Sequence, residues 1–169
     1  MIIDFHSHLA FHKLYPEAFL NGLFDDSSKI VSRDKMLSLI KALLKDSHAK
    51  KLVRRMDKAG ISKSVLLVID NNDFMGETEL SIEDNYLLHK EILNEYPDRF
   101  VVFAGVHPNR EGNLELLKKG IEDYGFCGVK LYPPFGYELT CEELKPCLAY
   151  ANEKKLPVLS HTGYATKGL

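Results

Sequence analysis

The sequence contains no apolar run near the roughly 20 residues of a membrane-spanning helix, so no membrane association is expected. Its first residues lack a basic region followed by an apolar stretch, the pattern of a secretion signal. Basic charge is not in excess. The 22 Lys+Arg stand against 24 Asp+Glu, a formal net charge of -2, so no general attraction to nucleic acid is expected. Cysteine is scarce. Cys127, Cys141 and Cys147 form an odd set with no CxxC pair, which reads as reduced thiols in a cytoplasmic protein. Cys147 lies on an apolar helix face and reads as core. What remains is ordinary globular material. A 169-residue chain that is 45% hydrophobic and 27% charged can build a real core and reads as one domain, 1–169.

Strands and helices alternate along the chain. Strands are expected at Ile2–His6, Ser64–Ile69, Phe100–Val106, Gly128–Tyr132 and Leu156–Ser160. The second and third are continuous Val- and Ile-rich runs, the pattern of strands buried on both faces of a parallel sheet. Helical spacing fills Arg33–Ala59, with Ser47-His48 as the place for a break and Gly60 as the stop. Ser81-x-x-Asp84 resembles a capping box that opens a helix ending before Pro97. Another helix covers Leu114–Tyr124, and Thr140-x-x-Glu143 reads as the cap of one running to about Lys154. Strands separated by helices imply βαβ units and a parallel α/β sheet. The first connection, Ala10–Ser32, mixes Phe11, Tyr15, Phe19 and Phe24 with turn residues such as Pro16, Gly22, Asp25 and Asp26. It follows the first strand directly, so it is expected to overhang any site there.

Polar residues gather at the carboxyl ends of these strands, where parallel α/β folds place ligands and catalytic groups. Asp4-Phe5-His6-Ser7-His8 closes the first strand, and side-chain alternation would point Asp4, His6 and His8 the same way. Two adjacent imidazoles are half of a metal site, suited to zinc, iron, nickel or copper. Asp70, Asn71 and Asn72 follow the second strand, where a turn or helix cap explains them equally well. His107 follows the third strand and is a candidate substrate contact, or the start of the next helix. Lys130 and Tyr132 lie in the fourth strand. A lysine inside a short buried strand is costly to keep charged, so its amine is a candidate base, carboxylate anchor or carbamate. The fifth strand stops on His161, the next candidate ligand.

Asp4-Phe5-His6-Ser7-His8, Gly128-Val129-Lys130-Leu131-Tyr132-Pro133 and Pro157-Val158-Leu159-Ser160-His161-Thr162-Gly163, in this order, resemble the amidohydrolase superfamily, and within it the amidohydrolase 2 family of metal-dependent hydrolases and decarboxylases. The resemblance implies a TIM-barrel-type (β/α)8 fold with one or two divalent metals at its C-terminal rim. It implies that His6, His8 and His161 are metal ligands, with zinc as the expected ion. It makes Lys130 either a carbamylated bridging ligand or a pocket residue with a catalytic role. It leaves His107 and Tyr132 as substrate contacts. The expected reaction is attack of a metal-activated water on a small amide, ester or lactone, or reaction of a carboxylate substrate. Asp4 could orient a ligand histidine from behind.

The length departs from the resemblance. Such a barrel typically needs about 250 residues. The further histidine from a sixth strand and the aspartate from an eighth have no counterpart in this sequence. The expected fold is therefore a barrel truncated after about five βα units, as a fragment of a longer protein or a short form completed by a partner chain. Its exposed sheet edges would favour homo-oligomers. Two rival readings stand beside this one. Gly105-Val106-His107-Pro108 resembles the third-strand motif of TatD-like metal-dependent nucleases, which carry glutamate where this chain has Lys130. A non-catalytic barrel remnant acting as a binding or assembly module is the other.

Overall fold

The computed structural model describes residues 1–23 and 32–163. Phe24, Asp25 and Asp26 lie outside the described residues. Five strands form one sheet: β1 (Ile3–Ser7), β2 (Lys63–Leu67), β3 (Phe100–Gly105), β4 (Val129–Leu131) and β5 (Val158–Ser160). Their spatial order is the chain order, and every neighbouring pair is parallel. Helices α1 (Glu17–Gly22), α2 (Arg33–Leu43), α3 (Lys50–Ala59), α4 (Ile82–Glu95), α5 (Asn113–Glu122) and α6 (Lys145–Glu153) supply the connections. The result is a half-barrel, matching five βα units of a (β/α)8 barrel.

The two sheet faces differ. Leu66, Val68, Val102, Ala104, Val129 and Leu131 point toward the helices and join the main core with Tyr86 and Leu117. The other face corresponds to a barrel interior. Val65, Leu67 and Phe103 are buried there, with Val101 and Leu159 against them. Phe5 meets Phe103 edge-on at 5.8 Å yet stays 54% exposed. Gly105 is required where β3 crosses β2. A Cβ there would lie 2.6 Å from the Val68 carbonyl oxygen, a contact with backbone that no side-chain adjustment relieves.

The long helical stretch divides where expected, for a reason the hydrophobic spacing does not carry. The buried Asp46 carboxylate accepts the Lys51 and Leu52 N–H groups at 3.0 and 2.9 Å, capping α3 from within the break. Gly60, at φ 69°, ends that helix. The cap of α4 forms as expected, with Ser81 Oγ accepting the Asp84 N–H at 3.0 Å. The cap expected at Thr140 does not form. Its hydroxyl turns to Glu138, a 3-10 turn fills Glu142–Leu144, and α6 begins only at Lys145 with Pro146 in its first turn.

His89 sits fully inside α4, its Nδ1–H donating to the Asn85 carbonyl at 2.9 Å. Burial pushes its pKa down to about 4, against that bond's opposite effect. The folded protein thus resists a proton that the unfolded chain accepts near pH 6.5. Stability is expected to fall as pH drops from about 6.5 toward 4, by up to about 3 kcal/mol. His89→Gln should flatten that slope in denaturant titrations across the range. An unchanged slope would remove His89 as its cause.

Candidate metal and substrate site

β1 is irregular. Asp4 pairs with Ser64 but Ser7 pairs with Leu66, so the register slips by one residue between them. In an unbroken strand residues 4 and 7 face opposite ways. Here Ser7 Oγ donates to Asp4 Oδ2 at 2.7 Å, and Ser64 Oγ bonds Ser7 Oγ at 2.9 Å. The alternation that would place Asp4 beside the two imidazoles is therefore broken, and Asp4 goes with the serines. Those bonds, the Ser7 hydroxyl first, hold its carboxyl below the usual range. Its other oxygen accepts the backbone N–H of His6 at 3.1 Å, so Asp4 fixes the bulge rather than a ring.

Beyond the bulge, His6 and His8 converge, their Nε2 atoms 3.2 Å apart. His8 Nδ1 lies 2.9 Å from the Leu67 carbonyl, which can only accept. The ring proton therefore sits on Nδ1 and the Nε2 lone pair faces His6. Burial lowers the His8 pKa to about 4, with the charges of His6, Lys130 and His89 adding to the effect. His6 is lowered by burial and by the Lys130 and His161 charges. Two imidazole nitrogens at ~2.0–2.1 Å from one ion would stand roughly 3.0–3.4 Å apart, so this pair fits a shared metal.

His161 follows β5 and shares the cavity wall with this pair. Among the described residues its buried Nε2 has no partner, and its ring packs on Tyr132 at 4.5 Å between centroids. Lys130, 1% exposed, likewise has no Nζ partner among the described residues, its Nζ lying 5.9 Å from the centre of the Tyr132 ring. Burial pushes its pKa down. A buried nitrogen left without a partner costs about 1–3 kcal/mol, and a bound ion, water or ligand is among the things that explain one. Among the described residues, no group of three or more His, Cys, Asp or Glu is arranged to hold an ion. The converged set is the His6–His8 pair, with His161 on the same rim.

The cavity bounded by these rings measures about 330 Å³. Opposite the polar rim it is lined by Leu9, Tyr15, Phe19, Leu20, Leu44 and Ile69. Tyr15 stacks on Phe19 at 5.5 Å, and Phe19 leans toward Phe135 at 6.5 Å. The chain after β1 thus roofs the site, as its position implied. His107 is not brought into this group. It is 2% exposed, and both ring nitrogens have backbone partners: the Asn109 N–H on Nδ1 and the Phe135 carbonyl on Nε2, each at 3.2 Å. Sequence reasoning also missed the clamp of Arg110 on Asp70, whose two bonds of 2.6 and 2.7 Å steady the loop after β2. Forty positions separate these residues, and no local pattern links them.

The amidohydrolase family model matches residues 42–168, and the chain belongs to the amidohydrolase 2 family. No curated protein sequence matches it. Among solved structures it is similar to 5-carboxyvanillate decarboxylase from Novosphingobium aromaticivorans, solved with bound manganese, at 16% identity and TM-score 0.69, covering 100% of this chain and 53% of that one. It is also similar to 4-oxalomesaconate hydratase from Rhodopseudomonas palustris, at 19% identity and TM-score 0.60, covering 96% and 52%. A third is dihydroxybenzoic acid decarboxylase from a Polaromonas species, solved with manganese and 2-nitroresorcinol, at 19% and TM-score 0.60, covering 98% and 50%. The chain spans about half the length of the structures it matches. The nuclease reading is not favoured, since the matching family is the amidohydrolase one. No described helix is long and apolar enough to cross a membrane.

Proposed function

We propose that this chain carries the metal-binding rim of a divalent-metal-dependent hydrolase or decarboxylase acting on a small amide, ester, lactone or carboxylate. One observation carries the reading: the Nε2 lone pair of His8 is turned by the Leu67 carbonyl toward His6, on a rim shared with the unpartnered Nε2 of His161. His6, His8 and His161 are the ligands. Their all-imidazole chemistry favours zinc over manganese. When bound, such an ion supplies a water with pKa near about 7 and a Lewis acid for a carbonyl.

The chain's own groups do the rest. His8 is oriented from behind by Leu67, the arrangement that fixes a ligand ring. Lys130, with its pKa lowered by burial, accepts a proton at Nζ or pairs with a substrate carboxylate. Tyr132 and the Tyr15–Phe19 wall bind the substrate body and exclude water. A cavity near 330 Å³ is the size of a small-molecule site. Calorimetric titration of metal-free protein with Zn²⁺ and then Mn²⁺ tests the reading. One ion per chain is expected, zinc tighter. Binding of neither would end it.

A further inference from the structure

The turn after β4 is gripped from the end of β3 at two points. His107 Nδ1 accepts the Asn109 N–H, so its proton sits on Nε2 and is donated to the Phe135 carbonyl at 3.2 Å. The Tyr137 hydroxyl accepts the Tyr132 N–H at 2.6 Å and donates to the Val106 carbonyl at 3.4 Å. The two rings touch each other edge-on, 4.9 Å between centroids. Between these grips the chain runs through Pro133 and Pro134, which offer no N–H of their own. It reverses at Gly136, φ 87°, where a Cβ would meet the Phe74 ring at 2.5 Å. What this braced segment carries is Tyr132, packed on Phe135 at 4.6 Å and on His161 at 4.5 Å.

We propose that His107 is a positioning residue which, with Tyr137, holds the Tyr132 ring against His161, and that it does not contact substrate. The inference rests on the reading of Tyr132 and His161 as parts of the site. His107 acts on the cavity wall through the Phe135 carbonyl and the Tyr137 ring, because its ring nitrogens are both engaged and its side chain is enclosed. Tyr137 serves the same end through the Tyr132 backbone. Its hydroxyl ties the first residue of the turn to Val106, the residue that follows β3, so the pair sets both position and tilt of the Tyr132 ring.

NMR of the metal-free protein at one fixed pH tests this. The His161 ring-proton signals are assigned with His161→Gln, and Tyr132→Leu marks their position without the stacked ring. His107→Ala and Tyr137→Phe are each expected to move the signals at least half of the way to that mark. His107→Gln, whose amide can still donate to Phe135, should leave them near the wild-type position. Zn²⁺ affinity is expected to fall about 10-fold in His107→Ala, as for loss of a group that orients a ligand. Unmoved His161 signals in His107→Ala or Tyr137→Phe would overturn the proposal. If His107→Ala does not fold, Tyr137→Phe against His107→Gln decides. Failure of wild-type protein to bind zinc would sink the proposed function alone, since the NMR comparison uses no metal.

Discussion

Arg110→Met is expected to cost about 3–5 kcal/mol of folding free energy, the range for removing one partner of a buried ion pair. The pair is bidentate, with Arg110 Nε and Nη2 at 2.6 and 2.7 Å from the two Asp70 oxygens. Only 1% of the Asp70 side chain is exposed, against 20% for Arg110. Burial alone would lower the Arg110 pKa, but the bond and charge of Asp70 outweigh it. Without the guanidinium, Asp70 keeps one charge-assisted bond, from the Asn72 N–H at 2.9 Å. That bond holds Asn72 and Asp73 at φ 42° and 59°, left-handed conformations costly for residues other than glycine. Some water reaches the arginine side, so the lower end of the range is the better expectation. Urea denaturation of the variant would measure it. A loss under about 1 kcal/mol would show that the pair is effectively a surface one. Arg110→Met combined with Asp70→Leu should recover part of the loss, because no lone charge then remains buried.

His161→Ala and His8→Ala are each expected to reduce Zn²⁺ affinity by more than the roughly 10–100-fold that loss of an outer-shell partner costs. They should act differently on the protein itself. His8 bonds Leu67 and is largely enclosed, so its removal also cuts a link between β1 and β2. Among the described residues the His161 ring has no hydrogen-bond partner; its backbone N–H bonds the Leu131 carbonyl and its carbonyl accepts from Ser160 Oγ, bonds that an alanine would keep. Metal-free His161→Ala should therefore unfold near the wild-type midpoint, while the stabilisation by zinc disappears. That stabilisation is about 2.7 kcal/mol when free zinc stands at 100 times its dissociation constant. Thermal melts with and without zinc would read both effects. A full zinc-dependent shift surviving in His161→Ala would remove that residue from the ligand set.

Much of the architecture was legible. β2 and β3 announce themselves as unbroken apolar runs, because a strand covered on both faces needs no polar side. The candidates for the rim were legible too: His6, His8 and His161 stand at or just past a strand's carboxyl end, with Lys130 inside the short β4. What escaped depends on contacts between distant positions. Alternation sets Asp4 beside the imidazoles only in an unbroken ladder, and the slip in β1 exists only against Ser64 and Leu66. Thr140 has the spacing of a cap, yet Pro146 lets the helix begin later and the hydroxyl finds Glu138. His107 reads as a contact residue from its place after β3. Nothing in the adjacent residues tells that Phe135 and Asn109 will occupy its nitrogens.

The bulge in β1 lets two successive residues, Phe5 and His6, serve the same side of the sheet: one meets Phe103, the other meets His8. A straight strand would force a choice between an apolar plug and an imidazole at that depth. The single extra residue works as a gear change, separating the part of the strand whose Phe5 packs on Phe103 from the part that carries the imidazoles.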